Sequence, residues 1–262
     1  MNAQEDNWVT YEHPLNERMR TLLRLEFLIE TAGTAMQRRG SFDSRTAVEA
    51  FIYTLQLLDR GEVRSEVIKE LDRLSSNLNR LDADPANDSA PAEETNINAC
   101  RRLLRRVGEP DAALGGVIRE DELLALISQR FGVGAGTCSF DIPSYHRWLC
   151  RPYEQRLADM QRWYDSFADL RAAVLFAQRM QREAEPFNNE IAEKGSWQRR
   201  TPYDEPQMQM LRLQTPCNDT VIPEISGNRH LITIRFLRQP DTMTRPQAVP
   251  DDVNFRLALC SL

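Results

Sequence analysis

The spacing of apolar residues changes from a helical period to a strand period after Pro186. Before that residue, apolar side chains recur at steps of three and four, as in residues 67–81, and this spacing is typical of one face of an α-helix. After it, they recur at every second position in residues 210–215, 229–237 and 253–259, which predicts strands. Because these strands share one end of the chain, they favour an antiparallel sheet, and the fold class is expected to be α+β.

We predict a helical bundle domain over residues 14–186 and a small antiparallel β domain over residues 187–262, joined by an N-terminal strand at 8–12. The first helix is expected to carry Pro14 in its first turn, where proline is tolerated. Further helices are expected from 41–44 to 60, over 62–81, from 94, from 119, over 143–149, over 152–165 and over 166–185. Ser166 and Asp169 form an S-x-x-D capping pattern for the last of these.

Two polar segments interrupt this pattern. Residues 82–98 are acidic and rich in small residues and proline, and we interpret their first part as a flexible surface loop. Residues 188–207 are polar and contain a glycine and two prolines, and we interpret them as a linker or long loop.

Glu26 lies on the apolar stripe of the first helix. A carboxylate in that position must be paired or protonated, and we expect it to have a buried partner such as an arginine.

The net charge and the distribution of apolar residues disfavour several classes of protein. The net charge is -6, which disfavours a general nucleic-acid binder, because such proteins need a basic surface to neutralise phosphates. No stretch approaches the roughly 20 apolar residues that a membrane helix needs. Residues 1–11 have neither the basic region nor the apolar run of a signal peptide. We therefore expect a cytoplasmic protein that contacts neither nucleic acid nor a membrane.

The sequence contains little that indicates catalysis or a cofactor. The 5 cysteines are scattered and the 3 histidines lie far apart, so we expect free thiols, no metal and no cofactor. Gly132-x-Gly134-x-Gly136 follows a predicted helix and lacks the G-K-[ST] of a phosphate-binding loop. We interpret it as the turn that ends that helix. An enzyme that used Cys138 or His146 is the alternative, and it predicts a depressed thiol pKa. We expect no enzyme.

Basic residues are concentrated in two predicted helices. In residues 100–107, Arg101 and Arg105 lie one helical turn apart, as do Arg102 and Arg106. This segment is interpreted as a solvated helix face that balances the acidic residues before it, and a nucleic-acid-binding or other regulatory interaction module is kept as the alternative function. In residues 62–81, a basic face carries two cations that each follow a glutamate by three residues, a spacing that favours ion pairs: Lys69 after Glu66, and Arg73 after Glu70.

A set of short blocks, in order along nearly the whole chain, resembles the ZapD family of FtsZ-associated cell-division proteins. The blocks are Glu12–Glu17, Met19–Arg20, Leu23–Leu28, Arg60–Arg64, Lys69–Arg73, Ile118–Asp121, Cys138–Pro143, His146, Trp148–Leu149, Pro223–Gly227, Ile234–Phe236 and Phe255–Cys260. Each block alone is weakly specific, whereas the ordered set is specific.

The resemblance implies a helical domain followed by a β domain, a homodimer and no catalysis. It also implies that a basic surface receives the acidic, partly apolar C-terminal tail of FtsZ. Two such sites in a symmetric dimer would hold two filaments and bundle them at the division site at mid-cell. The residues that the resemblance and the helical faces suggest for contacts with the tail are Arg20, Arg24, Arg64, Lys69, Arg73, Arg119 and His146.

Overall fold

The α+β fold class is confirmed by a computed structural model, which describes residues 7–60, 62–82, 90–202, 207–217, 220–228 and 230–262. The helices are α1 Glu17–Met36, α2 Ser41–Arg60, α3 Val63–Asp82, α4 Ala90–Gly108, α5 Gly116–Arg119, α6 Glu122–Arg130, α7 Pro143–Leu149, α8 Tyr153–Asp165 and α9 Ala168–Ala184. The strands are β1 Trp8–Pro14, β2 Asn188–Ala192, β3 Ser196–Arg200, β4 Met210–Pro216, β5 Val221–Gly227, β6 Leu231–Arg238, β7 Gln247–Ala248 and β8 Val253–Cys260.

The chain divides into two compact units. The helical unit is the continuous segment Thr21–Gln178, and the β unit combines the residues up to Arg20 with Arg179–Leu262. The domain limits 14–186 and 187–262 stay a prediction, because compactness alone does not show which segment folds independently.

The β unit contains two antiparallel four-stranded sheets. One has the strand order β1-β4-β8-β2, and the other has β3-β6-β5 with β7 also paired to β6. The alternating apolar residues of β4, β6 and β8 point into one shared core, where the rings of Phe236 and Phe255 lie 5.1 Å apart. The predicted strands at 210–215, 229–237 and 253–259 are thus confirmed, and their period explains which face each one buries.

The linker or long loop predicted at 188–207 is wrong over residues 188–200, because β2 and β3 lie within it, joined by a tight turn and one isolated bridge between Glu193 and Ser196. Residues 203–206 lie outside the described residues. β2 pairs with β8 in one sheet and β3 pairs with β6 in the other. The turn between them places Lys194 at φ 49° and Gly195 at φ 70°, the left-handed conformation that a two-residue hairpin turn requires. A Cβ atom at Gly195 would lie 2.3 Å from the carbonyl oxygen of Val249. Most side chains of these strands are polar, which hid their period in the sequence.

Three helix starts differ from the prediction. Pro14 ends β1, and α1 begins at Glu17, since the side chain of Asn16 accepts a hydrogen bond of 2.8 Å from the backbone N–H of Met19. This is the usual role of an N-cap asparagine. The helix expected from 119 is split into α5 and α6, with Asp121 as the N-cap of α6. α4 begins at residue 90 instead of 94, while residues 83–89 of the predicted loop lie outside the described residues.

The chain does break between α8 and α9, but the expected S-x-x-D cap is absent. The hydroxyl of Ser166 donates to the carbonyl oxygen of Trp163 at 2.7 Å. The carboxylate of Asp169 accepts a hydrogen bond of 2.6 Å from the backbone N–H of Ala113. Both side chains therefore fix other parts of the helical unit, and the break itself was predicted correctly for the wrong reason.

The core of the helical unit follows the predicted helical stripes. Val67, Leu71, Leu74 and Leu78 of α3 are buried, and α3 packs against α4 of the same chain. The thiol of Cys100 on α4 donates to the carbonyl oxygen of Leu71 at 3.2 Å. The stripe on α3 therefore finds its partner helix within the chain. Glu26 is also buried, as its position on the apolar stripe of α1 predicted. Among the described helices, none is both long enough and apolar enough to cross a lipid bilayer.

A half-buried carboxylate links the N-terminal strand β1 to the C-terminal part of the β unit. Glu12 of β1 accepts two hydrogen bonds of 2.8 Å from Arg182 and one of 3.2 Å from Arg212. Burial alone would raise the pKa of Glu12. The hydrogen bonds and positive charges of the two arginines outweigh this effect, so the pKa lies below its ordinary value of 4.5.

We expect a Glu12→Gln variant to be less stable than the wild type at neutral pH. Its free energy of unfolding should also fall less than that of the wild type as the pH is lowered. Because the folded-state pKa of Glu12 is lowered, its contribution is complete above about pH 4.5 and disappears as the pH falls through the folded value. The variant should lose about 2 kcal/mol of unfolding free energy at pH 7, as is typical for hydrogen bonds to a charged group. Urea unfolding at pH 7 and at steps below 4.5 should show the two curves converging in acid. Parallel curves would contradict this role of Glu12.

Candidate functional site

Two predicted contact residues lie on α1, with different surroundings. Arg20, in the β unit, forms an ion pair with Glu17 at 2.7 Å between Nη1 and Oε1. Arg24, in the helical unit, is exposed, and it makes no hydrogen bond or ion pair with any residue that the structure describes. One turn further, the side chain of Phe27 is 67% exposed. Arg24 therefore offers a cation beside an exposed aromatic ring.

Phe27 lines an open groove on the helical unit. The groove has a volume of about 350 Å³ and is lined by the α1 residues Phe27, Glu30, Thr31, Thr34 and Ala35, by Arg38, and by the α2 residues Asp43 and Thr46. It contains both apolar and charged groups. The arrangement suits an extended peptide segment with mixed side chains better than a small apolar ligand.

The two cations of α3 form the ion pairs that their spacing predicted. Lys69 contacts Glu66 at 2.8 Å, and both side chains are partly exposed. Arg73 holds Glu70 by two hydrogen bonds, of 2.5 Å and 3.1 Å. The Glu70 side chain is only 1% exposed. Lys69 is therefore available at the surface, whereas the guanidinium of Arg73 neutralises a buried carboxylate.

Arg64 and Arg119 contact opposite ends of the segment between α4 and α5, residues 109–115, which we call the α4–α5 loop. Arg64 donates to the carbonyl oxygens of Val107, Gly108 and Glu109 at 2.7 to 3.0 Å. These are carbonyls at the end of α4 that lack helical partners, and a cation there is favourable. Arg119 forms an ion pair of 2.8 Å with Asp59, at the end of α2. It also donates to the carbonyl oxygens of Leu114 and Gly115.

Nothing in the sequence predicted that Arg106, like Arg64 and Arg119, contacts the α4–α5 loop. Its guanidinium contacts Asp111 at 2.9 Å and Asp169 at 3.0 Å. The arginines of segment 100–107 therefore have different partners, because Arg101 donates a hydrogen bond to the side chain of Asn79 instead. Nothing in the spacing of the sequence indicated this division, since the partners of Arg106 are a loop residue and a residue on a distant helix.

His146 is exposed on α7, and its Nε2 lies 4.0 Å from the Sγ of Cys150, one turn later.

The alternative function, an enzyme that uses a thiol, does not fit Cys138, because a hydrogen bond with Asp141 raises the pKa of the Cys138 thiol. Burial raises the pKa of Cys100 to about 11 and that of Cys260 to about 12. These three thiols are therefore poor nucleophiles at neutral pH. In the described ranges, no group of three or more acidic, histidine or cysteine side chains is arranged to hold a metal ion.

Arg64 and Arg119 thus contact the two ends of the α4–α5 loop, and Lys69 and Arg73 lie one turn apart on α3. Arg24 and His146 are exposed at other points of the helical unit. The arginines and the lysine of the set place positive charges on the surfaces of helices. Such a surface can bind carboxylates by charge-assisted hydrogen bonds.

Comparison with known proteins agrees with this description. A sequence model of the ZapD family, described as cell division protein, matches residues 23–235. The cell division protein ZapD of Methylococcus capsulatus (strain ATCC 33009 / NCIMB 11132 / Bath) is 33% identical over 256 residues, which cover 98% of this chain and 99% of the relative. The match spans both the helical unit and the β unit. The chain belongs to the ZapD family of cell-division proteins, and its predicted family is confirmed.

Proposed function

We propose that this protein is a non-enzymatic cell-division factor that binds the C-terminal tail of FtsZ. As a homodimer it would present two binding sites, so that one dimer holds two filaments and bundles them at mid-cell. Linking two sites converts a modest affinity for each tail into a much higher overall affinity, because the second contact becomes intramolecular. Membership of a cell-division family supports the biological setting.

The observation that carries the proposal is the exposure of the predicted cations. Arg24 has no ion-pair partner within the described residues. Arg20, Lys69 and Arg119 pair only with carboxylates that are themselves partly exposed. Surface pairs of this kind contribute about 0–1 kcal/mol, so the carboxylates of an acidic peptide can replace them at low cost.

Arg64 and Arg73 have a different place in the proposal. The contacts of Arg64 with three carbonyl oxygens fix the end of α4, and those of Arg73 neutralise Glu70. We propose that both support the shape of the surface, while Arg20, Arg24, Lys69, Arg119 and His146 contact the tail directly.

Co-sedimentation with FtsZ polymers tests the proposal directly. The purified protein should pellet with FtsZ assembled in GTP, and both pelleting and bundling should disappear when FtsZ lacks its C-terminal tail. Both should also weaken with added salt, since exposed charges are screened within about 10 Å at 0.1 M ionic strength. Equal pelleting with tail-less FtsZ would show that the tail is not the ligand. Absence of pelleting at low and moderate salt would refute binding to FtsZ altogether.

A further inference from the structure

Arg106 is held in a way that leaves one edge of its guanidinium exchangeable. Its Nε contacts the carboxylate of Asp169, which also accepts the backbone N–H of Ala113 and is mostly buried. Among the described residues, its terminal nitrogens donate only to the side chain and the carbonyl oxygen of Asp111. The side chain of Arg106 is 42% exposed and that of Asp111 is 80% exposed. One edge of Arg106 is therefore anchored, while the other is paired at the surface.

The same arrangement recurs on the other side of the α4–α5 loop. Arg119 donates through Nη1 to two backbone carbonyl oxygens and through Nη2 to Asp59. The Arg119 and Asp59 side chains are 43% and 62% exposed. Arg106 and Arg119 thus both combine an inner contact that fixes the side chain with an outer carboxylate at the surface. Arg64 binds the carbonyl oxygens of Gly108 and Glu109, where the loop begins.

Arg106 and Arg119 can each bind an anion at the outer edge of the side chain, because a guanidinium has a planar set of donors that matches a carboxylate. Pre-oriented side chains lose little conformational entropy when a ligand arrives. The carboxylates that now occupy the outer edges belong to exposed pairs, which are weak in water. An incoming peptide with several carboxylates would exchange one carboxylate for another instead of desolvating a bare cation.

We propose that Arg106 is a further contact for the acidic segment of the partner. In the unbound protein, Asp111 and Asp59 are the chain's own carboxylates that occupy Arg106 and Arg119 until the partner displaces them. This inference rests on the proposed function, and it names both an additional binding residue and the groups that lower the affinity of the free site. Because one carboxylate replaces another at Arg106 and Arg119, a protein with a net charge of -6 would be able to bind an acidic segment here.

Fluorescence anisotropy with a labelled FtsZ C-terminal tail peptide measures the affinity. We expect Arg106→Gln to weaken binding by about tenfold, since the loss of a charge-assisted hydrogen bond has this size. The matched control is Arg105→Gln, which makes the same change of charge one residue earlier on α4, where Arg105 is exposed and has no ion pair among the described residues. It should weaken binding less than about twofold.

Asp111→Asn should change the affinity in the opposite direction, and it leaves the contact between Arg106 and Asp169 in place. Removal of the competing carboxylate should tighten binding by about threefold to fivefold, as expected for loss of a surface pair. Asp251→Asn, at an exposed position of the β unit, controls for net charge and should change the affinity by less than about twofold. Thermal unfolding checks that Arg106→Gln is folded, and Arg106→Lys serves as a second variant that retains the charge but lacks the planar donors.

The outcomes separate the two proposals. If the wild-type protein does not bind the peptide, the proposed function fails and the role of Arg106 fails with it. If the wild type binds but Arg106→Gln and Arg105→Gln are equally weak, the effect is one of net charge and Arg106 is not a contact. If Asp111→Asn binds no more tightly than Asp251→Asn, Asp111 does not compete with the partner. The first result contradicts FtsZ tail binding, and either of the other two contradicts only the inference.

Discussion

Arg24→Glu should bind FtsZ polymers at least about tenfold more weakly than the wild type, because the substitution replaces a donor to the tail's carboxylates with a charge that repels them. Arg24 is exposed and makes no hydrogen bond or ion pair with the described residues, so its replacement breaks no polar contact within that part of the chain. The unfolding temperature should therefore stay close to that of the wild type. Co-sedimentation at several salt concentrations, with thermal unfolding of the same samples, measures both quantities.

Arg238→Glu is the matched control for this experiment. Arg238 is an exposed arginine of the β unit and has no ion pair within the described ranges, so the substitution changes the net charge equally. It should pellet with FtsZ almost as well as the wild type. Unchanged pelleting of a folded Arg24→Glu variant would remove Arg24 from the site. An equal loss in both variants would show that the effect comes from overall charge.

Arg73→Met should lower the free energy of unfolding by about 3 kcal/mol, since removing one partner of a buried ion pair leaves a buried charge without its main compensation. Glu70 is 1% exposed and is held by both hydrogen bonds of Arg73. The apparent melting temperature should fall by roughly 6 °C or more, at about 2–4 °C per kcal/mol for a chain of this size. Urea and thermal unfolding provide the measurement.

Lys69→Met is the comparison within the same helix. Lys69 and Glu66 have the same three-residue spacing, but their side chains are 51% and 31% exposed. The loss should therefore be below about 0.5 kcal/mol. Similar losses in the two variants would contradict the distinction between a buried and a surface pair. A stable Arg73→Met variant with weakened FtsZ binding would instead return Arg73 to the set of direct contacts.

The sequence predicted those parts of the fold in which one periodic face is apolar. The stripe of α3 and the alternation in β6 are examples, because burial there depends on spacing that can be read along the chain. Strands β2 and β3 were missed, since only Ala192 is fully buried in the two strands and their turn carries few apolar residues. Their one sequence signal was the Lys194-Gly195 pair, which suits a tight hairpin turn.

The candidate site was predictable only where both partners lie on one helix. The pairs of Lys69 and Arg73 follow from a three-residue spacing, but the burial of Glu70 depends on how α3 packs. The contact between Arg119 and Asp59 joins residues far apart in sequence, and that between Arg106 and Asp169 does so too. Such long-range pairs are set by tertiary packing, which no local pattern in this sequence contains.

The β unit is assembled from both ends of the chain, and this determines when it can form during synthesis. β1 pairs with β4, so that Trp8 lies opposite Pro216, whereas the helical unit is one continuous segment. At roughly 5–20 residues per second, about ten to forty seconds pass on the ribosome between synthesis of the two strands. β1 must remain without its partner for that time, while every residue of the helical unit is completed before β4 is made. We therefore expect the pairing of β1 with β4 to be a late, non-local step of folding during synthesis.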